Sequence, residues 1–294
     1  MTQKNRFAIF GNVYQRKKSQ AVFKLIAILQ RYDAEIYVDR PFYEFITEGQ
    51  HMDVRVDGIF DGDDFDVDYA ISMGGDGTLL KTAARVHSKD TPIIGINIGR
   101  LGFLADVAPS DIETAISDIY AGNYRVDEHS VIKIETSGEE KLESGPFALN
   151  DIAILKRDNA SMISIRASVN GEYVTTYQAD GLIVTTPTGS TAYNLSNGGP
   201  IIAPGTGTLC LTAVAPHSLN IRPIVVPDNS VISLKVESRS HSVLVAVDGK
   251  STSLSDGTEV RISKAKHTVR IIRFSDRKYY STLREKMMWG LDQR

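Results

Sequence analysis

Apolar and polar positions along the 294-residue chain follow two different periods. Over roughly the first 125 residues, short apolar runs alternate with stretches whose apolar positions recur every three to four residues. That is the pattern of strands alternating with helices in a parallel α/β sheet. Phe7-Ala8-Ile9-Phe10 reads as a strand ending at Gly11-Asn12, and a helix from Ser19 places Val22, Leu25, Ile26 and Leu29 on one face. Glu35-Ile36-Tyr37-Val38 is a short strand, and the acidic residues from Asp57 to Asp68 read as a solvated loop. Tyr69 to Met73 is a strand, followed by a helical pattern from Leu79 to about His87. Pro92 to Ile98 reads as the next buried strand, and Ser110 or Asp111 is placed to cap a helix through about Ile119.

After about Val126 the period becomes two. Ile163-Ser164-Ile165-Arg166-Ala167-Ser168-Val169 and Val231-Ile232-Ser233-Leu234-Lys235-Val236 are clear cases. Asn170-Gly171 has the signature of a two-residue hairpin turn, and Asp248-Gly249 and Asp256-Gly257 are further turn dipeptides. Strands at this spacing predict a mainly β, sandwich-like second domain. Tyr280 to Trp289 turns helical again and is expected to pack back on the first domain. The expected domains are therefore 1–125 with 274–294, and 126–273.

Composition adds limits. Hydrophobic residues at 42% and charged residues at 23% suit a soluble globular protein, and at a net charge of −3 nothing argues for nonspecific nucleic-acid binding, so no nucleic-acid partner is expected. The one cysteine, Cys210, lies in an apolar run and reads as a buried small hydrophobe. No stretch approaches the roughly 18 apolar residues of a membrane span, and the N-terminus lacks a signal-peptide core. The expectation is a cytoplasmic protein without a membrane partner.

The densest chemical signal is Gly74-Gly75-Asp76-Gly77-Thr78. A strand that ends in glycines and turns into a helix offers free N–H groups and a dipole to an anion. Glycine permits positive φ and close backbone approach. An acid in a phosphate cradle would repel phosphate, which makes Asp76 a candidate general base or metal carrier. A tight turn with an N-cap would use the same residue types. The second signal runs from Asp180 to Pro200 and is rich in small and hydroxylated residues. Its apolar strand Leu182 to Val184, its turn at Pro187-Thr188-Gly189 and a helix opened by Thr191 to Ser196 form a corner suited to ribose, phosphate or adenine edges. A helix-capping Ser/Thr loop is the alternative. The third is Asn150-Asp151, an amide beside a carboxylate at the start of a strand, able to read ribose hydroxyls or an amide-bearing base, or simply to turn. Lys81, about one turn beyond Asp76, could reach a phosphate or lie solvated on its helix. Gly249-Lys250-Ser251 resembles the end of a Walker loop, but Leu244 stands where its leading glycine belongs. His217 has no accompanying nucleophile or metal pattern.

Together these elements resemble the bacterial-type NAD kinase family. The match runs through Gly74 to Thr78, Gly95-Ile96-Asn97 with Gly99 and Leu101-Gly102-Phe103-Leu104, then Asn150-Asp151 and Asp180 to Pro200, in order and spacing. Lipid kinases share the Gly-Gly-Asp-Gly-Thr motif and phosphofructokinases carry a close relative; the Asp180 segment is what points to NAD kinase. The resemblance implies a Rossmann-like first domain carrying catalysis and the phosphate donor, and a β domain binding NAD. It implies ATP and NAD as substrates, a divalent cation such as Mg²⁺, and a homo-oligomer of two or four chains. Asp76 would be the general base on the 2′-hydroxyl of the adenosine ribose. Gly74, Gly75, Gly77 and Thr78, with Lys81, would lie near phosphates. Asn150 and Asp151 would contact the dinucleotide; Asp180, Thr188, Thr191, Ala192, Tyr193, Asn194, Leu195 and Ser196 would line the adenosine and ribose pocket. Asp151 departs from the Glu common in the family, and Arg100 from a frequent His. A lipid or sugar-phosphate kinase sharing the loop, and a non-catalytic dinucleotide sensor, are the competing expectations.

Overall fold

The computed structural model describes residues 4–12, 19–49, 53–86, 89–99, 102–137, 141–143, 145–158, 161–274 and 279–288. Arg100, Leu101, His87 and Trp289 lie outside the described residues. The chain divides into two compact units, Met1–Glu128 with Val269–Arg294, and His129–Thr268. The strands Arg125–Thr136 and Glu259–Arg273 run through the borders, so no turn in the sequence marks them.

The first unit is built on the parallel strands β1 (Arg6–Gly11), β2 (Glu35–Asp39), β3 (Gly58–Phe60), β4 (Tyr69–Gly74) and β5 (Ile93–Asn97), with the end of the strand Glu259–Arg273 pairing parallel beside β5 at Ile271↔Ile93. The spatial order of β1 to β5 is 3-2-1-4-5. The chain steps outward from β1 to one side and then restarts at β4 on the other. In such a sheet, ligands sit beyond the carboxyl ends of the two strands where the order reverses. Here those ends are Gly11 and Gly74, paired in adjacent register as Gly11↔Met73. β4 is buried from Ala70 to Gly74, so its apolar run is that of an interior strand covered on both faces.

The helix Ser19–Arg31 buries Val22, Leu25, Ile26 and Leu29, the face expected from its period. Other local expectations need correction. The helix Arg40–Thr47 had no expectation behind it; Pro41 opens it and Phe42 and Ile46 are its buried anchors. The acidic segment is largely solvated, as expected, but it contains β3, and its carboxylates are paired rather than idle. Asp66 and Asp68 pair with Arg6, Asp61 with Arg40 and Asp63 with Arg85, while Asp57 accepts the Ile36 N–H. Neither Ser110 nor Asp111 caps the following helix through its side chain. A 3-10 turn, Pro109–Asp111, leads into Ile112–Ala121, and Ser110 donates to Asp111 instead. The C-terminal helix Tyr279–Met287 belongs to this unit and buries Thr282 and Leu283.

The second unit is a sandwich. One antiparallel sheet centres on Asp151–Lys156, flanked by Gly181–Thr185 and Ser242–Val247. The other includes Ile163–Val169, Glu172–Ala179 and Ile232–Glu237. Ile152, Ile154, Leu182 and Val184 of the first share a core with Ile163, Ile165, Ile232 and Leu234 of the second. The period-two residues thus meet face to face. Asn170 and Gly171, at φ 52° and 84°, make the expected hairpin turn, as do Asp248 and Gly249 at 46° and 82°.

Candidate active site

In the first unit the glycine-rich stretch is shorter as a loop than its sequence suggests. Gly74 ends β4 and the helix Asp76–Val86 begins at once, so Gly77 and Thr78 are helical. The Thr78 and Leu79 N–H groups bond back to the Gly75 carbonyl at 2.9 and 3.2 Å. None of Gly74, Gly75 and Gly77 has a positive φ, so conformational freedom is not their role. A Cβ on Gly74 would lie 2.0 Å from the Thr78 hydroxyl oxygen, whereas one on Gly75 or Gly77 would meet nothing within 4 Å. Gly74 therefore permits the tight strand-to-helix joint, and Gly75 and Gly77 leave its outer surface open.

Asp76 is surrounded by donors. Its Oδ1 accepts the Leu104 and Ala105 N–H groups at 3.0 and 3.1 Å, and its Oδ2 the Phe103 N–H at 2.8 Å. Lys286 of the C-terminal helix stands 3.5 Å from Oδ2, with its ammonium 4.3 Å from the centre of the Phe103 ring. A carboxylate offers about four lone-pair sites, so this one is fully engaged. The loop that supplies the N–H groups is itself tightly held. Asn97, buried, accepts the Gly99 N–H and donates to the Ala105 carbonyl. Arg273 donates to the Leu104 and Phe103 carbonyls and pairs with Asp106 at 2.9 Å in a nearly dry setting. A Cβ on Gly102 would come within 1.9 Å of Asp76 Oδ1. Asn97, Gly99 and the run from Gly102 to Ala105 thus form the scaffold of Asp76. Nothing near Arg273 or Lys286 in sequence marks a site. Lys81 is exposed, five residues along the helix from Asp76 and so about 140° around it.

In the second unit Asn150 and Asp151 open the central strand. The Asn150 carbonyl accepts the Thr186 N–H at 2.9 Å and the Thr185 hydroxyl at 3.1 Å. Asp248 accepts the N–H groups of Leu149, Asn150 and Asp151 at 2.8, 2.8 and 3.1 Å. The Asn150 Oδ1 is buried without a hydrogen-bond partner among the described residues. Asp151 is 6% exposed, and burial first, then the Asp248 charge, pushes its carboxyl up to about 7. Burial also raises Asp248, against the three N–H groups that lower it.

The Asp180–Pro200 stretch separates into holders and presenters. Thr188, Ser190 and Asn194 face inward: Thr188 bonds His129 at 2.8 Å, Ser190 bonds the Pro187 carbonyl and Ile202, and Asn194 holds Ser190, Pro200 and Thr212. The corner-capping alternative describes these three. Thr191, Ala192, Tyr193, Leu195 and Ser196 reach the surface, with Tyr193 39% exposed. The expected single helix is instead a 3-10 turn, Thr188–Thr191, broken at Ala192 before Tyr193–Ser196. Asp180 stands apart. It precedes Gly181, at the opposite end of the five-residue strand from Thr185, and pairs with Lys156 at 2.7 Å. An open cavity of about 740 Å³ lined by Lys156, Gln178 and Arg239 lies at that end, away from Asn150. Lys250 is exposed on the strand after the Asp248-Gly249 turn.

Residues 7–124 match the family model described as the ATP-NAD kinase N-terminal domain, and residues 149–274 that of the ATP-NAD kinase C-terminal domain. A protein of Bacteroides fragilis named NAD kinase is 52% identical over 289 residues, 98% of this chain and 99% of the relative. One of Porphyromonas gingivalis with the same name is 40% identical over 285 residues, 97% of this chain and 98% of the relative. Among solved structures, an NAD kinase from Archaeoglobus fulgidus in complex with ATP superposes with a TM-score of 0.73 at 27% identity, covering 96% of this chain and 98% of that one. Yeast NADH kinase complexed with NADH has a TM-score of 0.89 over 100% of this chain and 90% of that one; at 20% identity the likeness is one of fold.

Proposed function

The chain belongs to the NAD kinase family and is a phosphotransferase acting on NAD, and on that premise we propose that Asp76 is its general base. The substrate hydroxyl is the 2′-hydroxyl of the adenosine ribose, and the donor is the γ-phosphoryl of ATP. The observation that carries this assignment is the placing of Asp76 at the reversal point of the parallel sheet, on an open glycine surface at a helix start.

A ribose hydroxyl is a weak nucleophile at neutral pH and needs a proton acceptor in the transition state. Of the contacts on Asp76, the Lys286 ammonium at 3.5 Å is the longest and rides on a flexible side chain. Its departure frees a lone pair of Oδ2 for the hydroxyl proton, while the three backbone N–H groups hold the carboxylate in place. The hydroxyl oxygen then forms its bond to the γ-phosphorus, the bond to the ADP oxygen breaks, and the proton stays on Asp76. Gly74, Gly75, Gly77 and Thr78 border the donor phosphates. Asn150 and Asp151, with Thr191, Ala192, Tyr193, Leu195 and Ser196, contact the dinucleotide; Thr188 and Asn194 shape that corner from within.

Among the described residues no group of three or more His, Cys, Asp or Glu is placed to hold a metal ion. In this proposal the divalent cation, Mg²⁺, arrives with the triphosphate. No helix among the described residues is long and apolar enough to cross a membrane. Work in the cytoplasm, as a homo-oligomer, completes the proposal; the buried, unpaired Cys210 is in keeping with a reducing compartment.

The test is NADP formation from NAD, ATP and Mg²⁺ by the protein and its Asp76→Asn variant. The variant should keep its affinity for NAD and lose about a hundredfold or more in kcat. An unchanged kcat would remove Asp76 from the chemistry.

A further inference from the structure

We propose that Asp248 is a positioning residue for dinucleotide binding: its carboxylate fixes the Leu149-Asn150-Asp151 strand opening so that the Asn150 and Asp151 side chains are presented to NAD. This rests on the proposed contact of Asn150 and Asp151 with the dinucleotide.

The turn alone does not call for this residue. Asp248 and Gly249 form a hairpin turn with φ 46° and 82°, in which Asn or Gly at the first position serves at least as well as Asp. What only a carboxylate provides is two acceptor oxygens. Oδ1 takes the N–H groups of Asn150 and Asp151, and Oδ2 takes that of Leu149. The Asp248 N–H returns a bond to the Asp151 carbonyl at 3.0 Å. From the other side, Thr186 and Thr185 hold the Asn150 carbonyl. The backbone of Asn150 is thereby pinned on both edges, and what remains uncommitted is its side-chain oxygen, buried and without a donor among the described residues. An acceptor left in that condition costs free energy unless a ligand donor meets it. The tip of the hairpin is exposed at Gly249, while the Asp248 carboxylate is directed at the three backbone N–H groups.

Asp248 also acts on Asp151 through its charge. The charged group that raises Asp151 beyond the effect of burial is Asp248, and the groups opposing the rise of Asp248 are the three backbone N–H groups. Removing the Asp248 charge therefore moves the ionisation of Asp151 to lower pH. The shift appears in KM for NAD only where Asp151 takes part in dinucleotide binding, which separates that role from one in fold stability alone.

The experiment compares the full-length enzyme with Asp248→Asn and Asp248→Gly, both compatible with the turn, and with Asn150→Ala. KM for NAD, KM for ATP, kcat and Tm are measured, with KM for NAD followed from pH 5.5 to 9 in steps of about half a unit. In Asp248→Asn the amide nitrogen must face a backbone N–H, and KM for NAD should rise roughly tenfold while KM for ATP stays within about twofold. The break in the pH profile of KM for NAD should move to lower pH. Asp248→Gly, with no acceptor, should raise KM for NAD further. If Asn150→Ala is impaired in NAD binding but both Asp248 variants keep the wild-type KM for NAD, the role of Asp248 is overturned. It is equally overturned if kcat and both KM values change only in step with a fall in Tm. If Asn150→Ala binds NAD normally, the dinucleotide contact itself fails, and this proposal with it.

Discussion

Replacing Asp151 by Asn should stabilise the protein at alkaline pH and do so much less in mild acid. In the native structure the Asp151 carboxyl is moved from its ordinary 3.8 to about 7, by burial first and by the Asp248 charge second. In the unfolded chain it titrates near its ordinary value. Between the two values the native state holds a proton that the unfolded state has released, so stability falls as pH rises through this window. Below the unfolded value the group has no effect; above about 7 the full penalty is present. Each unit of separation corresponds to about 1.4 kcal/mol, so the penalty is about 4 kcal/mol at pH 8 and about 2 kcal/mol at pH 5.5. The amide introduced by Asp151→Asn would carry no charge at either pH. Any packing change it introduces is the same at both and cancels in the difference. The variant should therefore gain about 2 kcal/mol on the wild type between pH 5.5 and pH 8, or roughly 4–8 °C in Tm. Thermal unfolding followed by circular dichroism without nucleotide at the two pH values measures it. A difference in Tm between variant and wild type that is the same at both pH values would refute the assignment of a buried, late-titrating carboxyl to Asp151.

Gly102→Ala should lower kcat by about a hundredfold with the fold retained, because its methyl would lie 1.9 Å from Asp76 Oδ1 and must push the carboxylate or its loop aside. Steady-state kinetics beside a far-ultraviolet spectrum check this, and wild-type kcat would show that the fit around Asp76 is not needed. Arg273→Met takes the cation away from buried Asp106 and frees the Phe103 and Leu104 carbonyls, so urea unfolding should show a loss of about 3–5 kcal/mol.

The periodicity of the chain was enough to assign a parallel α/β half and a sandwich-like half, because burying one face of a helix or strand imposes a repeat that any sequence must obey. It also located the hairpin turns at Asn170-Gly171 and Asp248-Gly249, where backbone φ is positive and few residue types suffice. Gly74 to Thr78 stood out because an acid is out of place in a phosphate cradle, whereas Asn150-Asp151, equally able to form a turn, gained its weight from the family resemblance. Other features were out of reach. The short β3 and the helix Arg40–Thr47 lie in stretches too brief or too charged for a period to emerge. The division of Thr188 to Ser196 into buried holders and exposed presenters depends on which hydroxyls meet carbonyls after folding. The partners of Asp76 lie 27 to 29 and 210 residues away, and those of Asp248 97 to 99 residues away. Most of those partners are backbone N–H groups, which every residue but proline carries alike. Sequence could name the carboxylates, but only strand register and loop packing could decide which N–H groups they hold, since a group common to nearly all residues leaves no mark in the order of side chains.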